Sequence, residues 1–166
     1  MPHNMKAIGK ICILVLAAVG MWACNDEYQS TPVIVVDRYI YLTHQDGSRD
    51  TTMYFGDTLL IGDTARVMMA LNGVSHPLKK AQVTSEDAEA LACGFECDSI
   101  IIADCLEKDS KPEEGYLHFV PEYTLVVVTY RYVAKKAGTY SMKFVLESLA
   151  KEGYNHNEGE IVQSVR

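Results

Sequence analysis

The sequence is poor in basic residues and in tryptophan. It has 15 lysines and arginines against 22 aspartates and glutamates, a formal net charge of −7, and its one tryptophan is Trp22. Nucleic-acid binding needs a basic surface against the phosphates, so this balance argues against nucleic acid as a partner. The sequence also has no internal stretch rich in Pro, Gly or Ser that would separate two domains, which favours a single domain.

No apolar run is long enough to span a membrane. The run from Ile11 to Cys24 covers about 20 Å as a helix, whereas a hydrocarbon core is about 30 Å thick. It follows Lys6 and Lys10, contains no acid and reaches the small residue Ala23. This layout is typical of a secretory signal. Residues 1–23 are therefore predicted to be a signal peptide.

The cysteine that ends this run indicates the type of signal. Met21-Trp22-Ala23-Cys24 resembles the bacterial lipobox, in which a cysteine is lipidated before the signal is removed. The resemblance implies lipidation of Cys24, with plain secretion as the alternative. The acids of Asn25-Asp26-Glu27 resemble the export tag of Bacteroidota surface lipoproteins, with a solvated tether as the alternative. An outer-membrane, surface-exposed protein is therefore expected, or else one that faces the periplasm.

Removal of the signal peptide would change the composition of the protein. The remaining chain would have 13 basic against 22 acidic residues and no tryptophan. Residues 24–32 would form a lipidated tether, of which residues 25–32 reach about 25 Å when extended. Residues 33–166 would form the folded domain. The membrane is thus a predicted partner through the lipid anchor, and the domain is expected close to it.

The predicted domain consists mainly of short β-strands separated by turn residues. Thr124–Val133 is apolar on both faces, which predicts a central strand covered on both sides. The predicted strands are Val33–Leu42, Leu59–Ile61, Arg66–Leu71, Asp98–Asp104, Tyr116–Val120, Thr124–Val133, Tyr140–Glu147 and Ile161–Val165.

One segment, Thr84–Cys93, has the features of a helix. Ser85 or Thr84 can cap it, acids follow in the first turn, and Gly94 can end it. One short helix among about eight strands predicts an all-β fold, a β-sandwich. A small lipocalin-like barrel is the alternative.

Two motifs resemble those of a known class of sandwich. Ala137-Gly138-Thr139-Tyr140 resembles the Gly-Thr-Tyr corner of immunoglobulin-like and related bacterial surface modules, and Leu60–Thr64 resembles their early strands. The resemblance implies an immunoglobulin-like β-sandwich of about seven or eight strands.

Three cysteines, Cys93, Cys97 and Cys105, lie in the predicted domain. If Asp98–Asp104 is a strand, Cys97 and Cys105 are about 26 Å apart, and a disulfide tolerates about 7 Å. Cys93 and Cys97 can meet, so Cys93–Cys97 is the candidate disulfide, with three free thiols as the alternative. The spacing does not match the paired cysteines of zinc knuckles, so no metal site is predicted.

No spacing pairs a nucleophile with a base. The histidines lie in or beside predicted turns and strands, and carboxylate pairs such as Glu113-Glu114 lie in polar loops. No catalytic residue and no cofactor are predicted, and the protein is not expected to be an enzyme.

Two functions remain. The first is a structural, adhesive or complex-accessory module at the cell surface. The second is a glycan-binding lipoprotein, resembling those that hold polysaccharide beside outer-membrane uptake systems. Sugars stack on aromatic faces, which makes Tyr116 and Tyr154 the candidate ligand contacts. The lack of tryptophan beyond Trp22 favours the first function.

Four short motifs resemble the Asp-Ser/Thr-apolar acceptor that Bacteroidota use for O-glycosylation. Such a hydroxyl must be exposed and flexible. Thr51, Thr58 and Thr64 follow aspartates in predicted turns and are the candidates, whereas Ser99 begins a predicted strand. The alternative is that Asp-Thr is ordinary turn chemistry.

Overall fold

The computed structural model describes residues 29–166, and within this range ten strands form two antiparallel sheets. The predicted signal peptide, Cys24 and residues 25–28 lie outside the described residues. The strands are β1 (Val33–Val36), β2 (Tyr39–Thr43), β3 (Arg49–Tyr54), β4 (Thr64–Asn72), β5 (Leu78–Ser85), β6 (Leu91–Glu96), β7 (Tyr116–His118), β8 (Leu125–Ala134), β9 (Gly138–Ser148) and β10 (His156–Val165).

The sheets are open, and they form the predicted all-β sandwich. The six-stranded sheet has the order β3-β2-β4-β8-β6, with β1 also paired to β4. The four-stranded sheet has the order β10-β9-β5-β7. The predicted strand Val33–Leu42 forms as β1 and β2, interrupted at Asp37, whose amide donates to the Met68 carbonyl at 2.9 Å. The barrel alternative is not what the described residues form.

The core lies between the sheets and follows the predicted alternation. Val67, Met69 and Leu71 of β4 are at most 1% exposed. From the other sheet, Phe144 of β9 packs edge-on against Tyr130 of β8, with ring centroids 4.8 Å apart. Burial of these large apolar side chains is the main stabilising term of the fold.

β8 is central but is not covered on both faces. It lies between β4 and β6 as predicted, and its inward residues Val126 and Val128 are buried, whereas Leu125 and Val127 are 53% and 46% exposed. Antiparallel sheets commonly leave one face to solvent. A run of β-branched residues fits an open or a covered face equally well, so the prediction was wrong on this point.

The predicted helix at Thr84–Cys93 is also wrong. Its ends belong to β5 and β6, and a turn joins them. Asp87 accepts hydrogen bonds from the amides of Glu89 and Ala90, so its capping chemistry stabilises the turn. All six residues of β6 then pair with β8, which outweighs the helix propensity of so short a segment.

The predicted strand Asp98–Asp104 is helical instead. A π-helix runs over Ile101–Cys105, and Asp98 Oδ1 accepts the Ile101 amide at 2.8 Å. The segment joins β6 to Leu106, which bridges Phe119. Lying outside both sheets, it satisfies its backbone within a helix. The predicted short strand at Leu59–Ile61 is reduced to one bridge between Leu59 and Val165.

Two ends of the sandwich can be defined from the strand register. Asn72, the end of β4, pairs with both Val33 and Leu125, and Leu78 pairs with Ser148. The loops 73–77, 119–124 and 149–155 therefore share the end at which residue 29 enters, called here the tether end. The loops 44–48, 59–63, 86–90 and 135–137 form the opposite, distal end.

No helix in residues 29–166 has the length and apolar content of a membrane span.

Candidate functional site

The distal end carries an open cleft between the loops 44–48 and 59–63. Its volume is about 610 Å³, and its walls are the hairpin turn between β2 and β3 and the turn that contains Gly62-Asp63-Thr64. The lining residues are His44, Gln45, Asp46, Ser48, Leu60, Ile61 and Asp63.

A buried carboxylate organises this cleft. Asp63 is 2% exposed, and its two oxygens lie 2.9 Å from His44 Nδ1 and 2.8 Å from the Leu60 amide, which donates to it. Gly62 precedes it with a φ of +92°, a conformation that favours glycine. Because the Asp63 carboxylate accepts the Nδ1 proton, Nε2 of a neutral His44 is left as an acceptor for a ligand.

Ser48, the serine of the cleft, is hydrogen-bonded to Asp46. The hydroxyl and the amide of Ser48 donate to Asp46 Oδ1 at 2.6 and 2.8 Å, and these bonds lower the pKa of the Asp46 carboxyl. Because the Ser48 hydroxyl points to Asp46 and not to His44, the cleft is not arranged as a Ser-His relay. It offers acceptors beside exposed Leu60 and Ile61, an arrangement suited to binding.

A group of tyrosines lies on the outer face of the six-stranded sheet. Tyr39 and Tyr54 pair across β2 and β3, with ring centroids 5.6 Å apart. The Arg38 guanidinium lies 4.9 Å from the centre of the Tyr39 ring. Tyr41 donates its hydroxyl to Asp37 at 3.0 Å, which raises the pKa of Tyr41. These three tyrosines are called here the tyrosine face.

A groove of about 370 Å³ adjoins the tyrosine face. Arg66 lines it and is fixed by two hydrogen bonds to the Glu96 carboxylate, at 2.8 and 3.0 Å. No ligand site is predicted here from the sequence, although the alternation of Val33–Leu42 already puts Tyr39 and Tyr41 on one face. The groove is lined by Tyr41, Leu42, Thr43, Arg49, Thr51 and Arg66.

The two tyrosines predicted as ligand contacts are not brought together. Tyr116 is half-buried in β7, at one edge of the four-stranded sheet. Tyr154 is 48% exposed in the loop before β10, at the opposite edge and at the tether end. A single ligand stacked on both is therefore not supported by this arrangement.

Cys93, Cys97 and Cys105 are free thiols. Cys93 lies in the extended strand β6 and Cys97 follows it, so their Cα atoms are about 13 Å apart, which does not support the candidate disulfide Cys93–Cys97. Burial raises the pKa of both thiols to about 11, and Asp98 and Cys105 add to the effect at Cys97. The distance of about 26 Å predicted between Cys97 and Cys105 requires a strand at Asp98–Asp104. This segment is helical, so that distance does not apply.

The candidate glycosylation sites differ in accessibility. Thr58 is exposed in irregular backbone, and Thr51 is exposed on β3, an edge strand and not a turn. Thr64 is half-buried and pairs with both Thr43 and Val133 inside the sheet. Ser99 is exposed at the start of the helical segment.

Within residues 29–166, no group of three His, Cys, Asp or Glu side chains is placed to hold a metal ion.

The sequence matches no protein-family model and no curated protein. Among solved structures, a DUF4466 family protein from Parabacteroides merdae ATCC 43184 is similar over 81% of this chain, with 11% identity and a TM-score of 0.49. Domains 4 and 5 of the S-layer protein SbsC are similar over 81%, with 14% identity and a TM-score of 0.42. The matches cover 44% and 53% of those two chains, so this chain spans about half of their length.

Proposed function

We propose that the protein is a non-enzymatic lipoprotein of the outer membrane, exposed at the cell surface, that acts as a structural, adhesive or complex-accessory module. The observation that carries the proposal is that the chain entry and the distal cleft lie at opposite ends of the sandwich. An anchor at Cys24 would hold the tether end near the membrane. The cleft of His44 and Asp63 would then face outward, where a partner can reach it.

The β8–β9 turn supports an immunoglobulin-like type of sandwich. Tyr140 donates its hydroxyl to the carbonyls of Ala137 and Lys136, at 2.9 and 3.2 Å. A tyrosine that bonds the backbone a few residues upstream is a hallmark of that class, in which binding loops cluster at one end. The distal loops of this protein would have that role.

Fractionation of cells that express the full chain tests the anchor. We expect the wild-type protein in the outer membrane, where protease added to intact cells digests it, and the Cys24→Ala variant in the soluble fraction. Cys97→Ala is the matched control and should stay in the membrane. An unmodified N-terminus in the membrane fraction would contradict the proposal.

A photo-crosslinking residue placed in the distal cleft tests the binding role. Substituted at Gln45, it should trap a partner on intact cells. The matched control is Gln82, exposed on the outer face of β5. Equal yields at both positions would argue against a distal binding site.

The tyrosine face favours glycan binding as a second candidate function. Tyr39 and Tyr54 present aromatic rings, and Asp37 and Arg38 beside them can bond sugar hydroxyls. On a glycan array, the soluble Cys24→Ala protein should bind, and Tyr54→Ala should lose binding by about ten-fold, which corresponds to about 1.4 kcal/mol. Tyr154→Ala, the control, should bind as before. Loss in Tyr154→Ala alone would move the site to the tether end.

A further inference from the structure

Five exposed apolar side chains cluster at the tether end. They come from the start of β1, the β4–β5 loop, the start of β8 and the β9–β10 loop, and each is between 41% and 53% exposed. A group of this kind on one end of a small domain marks a contact surface. Its members are Val33, Val74, Leu125, Leu149 and Tyr154.

The chain enters the domain through this surface. The Lys151 amide donates to Gln29 Oε1 at 3.0 Å, and the Ser75 amide donates to Ser30 Oγ at 3.4 Å. A third bond joins Asn157 Nδ2 to the Pro32 carbonyl at 2.8 Å. The first described residues are thus fixed between the loops 73–77 and 149–155.

The length of the tether decides what can cover the surface. If Cys24 is lipidated, as the proposed function requires, the five peptide units from Cys24 to Gln29 reach about 17 Å at most. A folded partner of 100 residues has a radius of gyration of about 13 Å and needs more room than that. The bilayer surface, which holds the lipid on Cys24, is the partner that fits this space.

The backbone of the β4–β5 loop gives a second indication. Val74 has a φ of +61°, in the left-handed region where a β-branched residue is strained. Its amide donates to Asn72 Oδ1 at 2.7 Å, which holds this conformation. Glycine would adopt it without strain, so an exposed valine here indicates that its side chain is needed.

We infer that the tether end rests on the bilayer, with Val74, Leu149 and Tyr154 entering the headgroup region. Tyrosine suits that position because its ring is apolar and its hydroxyl is polar. The charged residues of this end, Glu122, Lys151 and Glu152, sum to one negative charge. The contact therefore depends on apolar burial and should persist in high salt.

Single tryptophans can test the contact, because the processed chain has none of its own. The lipidated full-length protein, with Leu149→Trp, is reconstituted in phosphatidylethanolamine–phosphatidylglycerol vesicles that contain a brominated lipid. Its emission should be blue-shifted and quenched several-fold, at low and at high salt. Leu60→Trp, in the distal cleft, is the matched control and should not be quenched. Tyr154→Trp gives a second probe of the tether end should Leu149→Trp fail to fold.

Flotation of the vesicles separates the two ways in which the inference can fail. Protein that does not float is not anchored, which overturns the proposed function and the inference with it. Protein that floats, with Leu149→Trp and Tyr154→Trp no more quenched than Leu60→Trp, overturns the inference alone and leaves the anchor in place.

Discussion

Two copies of the same tripeptide have different roles in this protein. Gly56-Asp57-Thr58 lies in an exposed turn, where Asp57 accepts the Tyr54 amide at 2.9 Å. In Gly62-Asp63-Thr64 the aspartate is buried and joins the two walls of the distal cleft. Both are turns, as the sequence predicts. The partner of Asp63, His44, is set by the pairing of β2 with β4, which no local pattern reveals.

Replacement of these two aspartates should therefore have unequal effects. Asp63→Ala removes a buried carboxylate that accepts the Leu60 amide and contacts His44, and it should lower the free energy of unfolding by about 1–3 kcal/mol. Asp57→Ala, the matched control in the exposed copy, should cost less than about 1 kcal/mol. Urea denaturation of both variants measures the difference, and equal losses would show that burial of Asp63 contributes nothing.

The thiols should give stability and reactivity a dependence on alkaline pH. Burial raises the pKa of Cys93 and Cys97 to about 11, whereas an unfolded cysteine has a pKa of about 8.5. The folded state thus favours the neutral thiols. Their contribution to stability is complete below about pH 8.5 and is lost as the pH rises to about 11.

Alkylation and denaturation measure this effect. At pH 8 the folded protein should react with iodoacetamide at Cys93 and Cys97 roughly a hundred-fold more slowly than the unfolded protein. The urea midpoint should fall between pH 8 and pH 10.5, and it should fall less in the Cys93→Ala/Cys97→Ala double variant. Rapid alkylation of Cys93 and Cys97 in the folded protein at pH 8 would contradict their raised pKa values.

The accessibility of three threonines leads to a prediction about modification. Thr58 is exposed in irregular backbone, and Thr64 is paired on both sides within the sheet. A transferase needs an accessible, flexible hydroxyl. Among these three threonines, any O-glycan on protein from the native host should map to Thr58, and to Thr51 less readily, in peptide mass spectra. Sugar on Thr64 would mean that glycosylation precedes folding.

At the scale of elements, the sequence predicted strands better than it predicted connections. Strands β4 and β9 alternate buried and exposed residues as their sequences do. The wrong predictions for Thr84–Cys93 and Asp98–Asp104 have one cause. The secondary structure of each segment depends on whether a partner strand lies beside it. The first gains β8 as a partner, and the second has none in the described structure, so a run of three isoleucines becomes helical.

The packing of β6 against the 3₁₀ helix Pro112–Glu114 can be tested through one glycine. A Cβ at Gly94 would lie 2.5 Å from the Glu113 carbonyl oxygen, which is backbone and cannot turn away. Gly94→Ala should therefore lower the free energy of unfolding by about 1–3 kcal/mol. Gly159→Ala in β10, where nothing lies within 4 Å of such a Cβ, is the control and should change it by less than about 0.5 kcal/mol. Similar losses of stability in both variants would show that β6 does not pack against this helix.

The outer faces of the two sheets differ in the polarity of their exposed side chains. The outer face of the four-stranded sheet carries mostly polar and charged side chains, with ion pairs such as Lys143–Glu158 and Lys80–Glu147, and Val162 is its exposed apolar residue. The six-stranded sheet instead exposes Val35, Val127 and the tyrosine face. The composition and the two-residue alternation of apolar residues predict the sandwich. The difference between the two outer faces depends on the order of the strands in each sheet, which the sequence does not predict.

The proposed processing at Cys24 leads to a prediction about the fluorescence of the protein. Trp22 lies in the predicted signal peptide, and all ten tyrosines follow residue 23. Protein purified from the native membrane should therefore show tyrosine fluorescence alone, and its intact mass should equal residues 24–166 plus lipid, together with any sugar. Tryptophan emission from the wild-type membrane form would show that the apolar run stays attached, and the lipid anchor would have to be replaced by an uncleaved one.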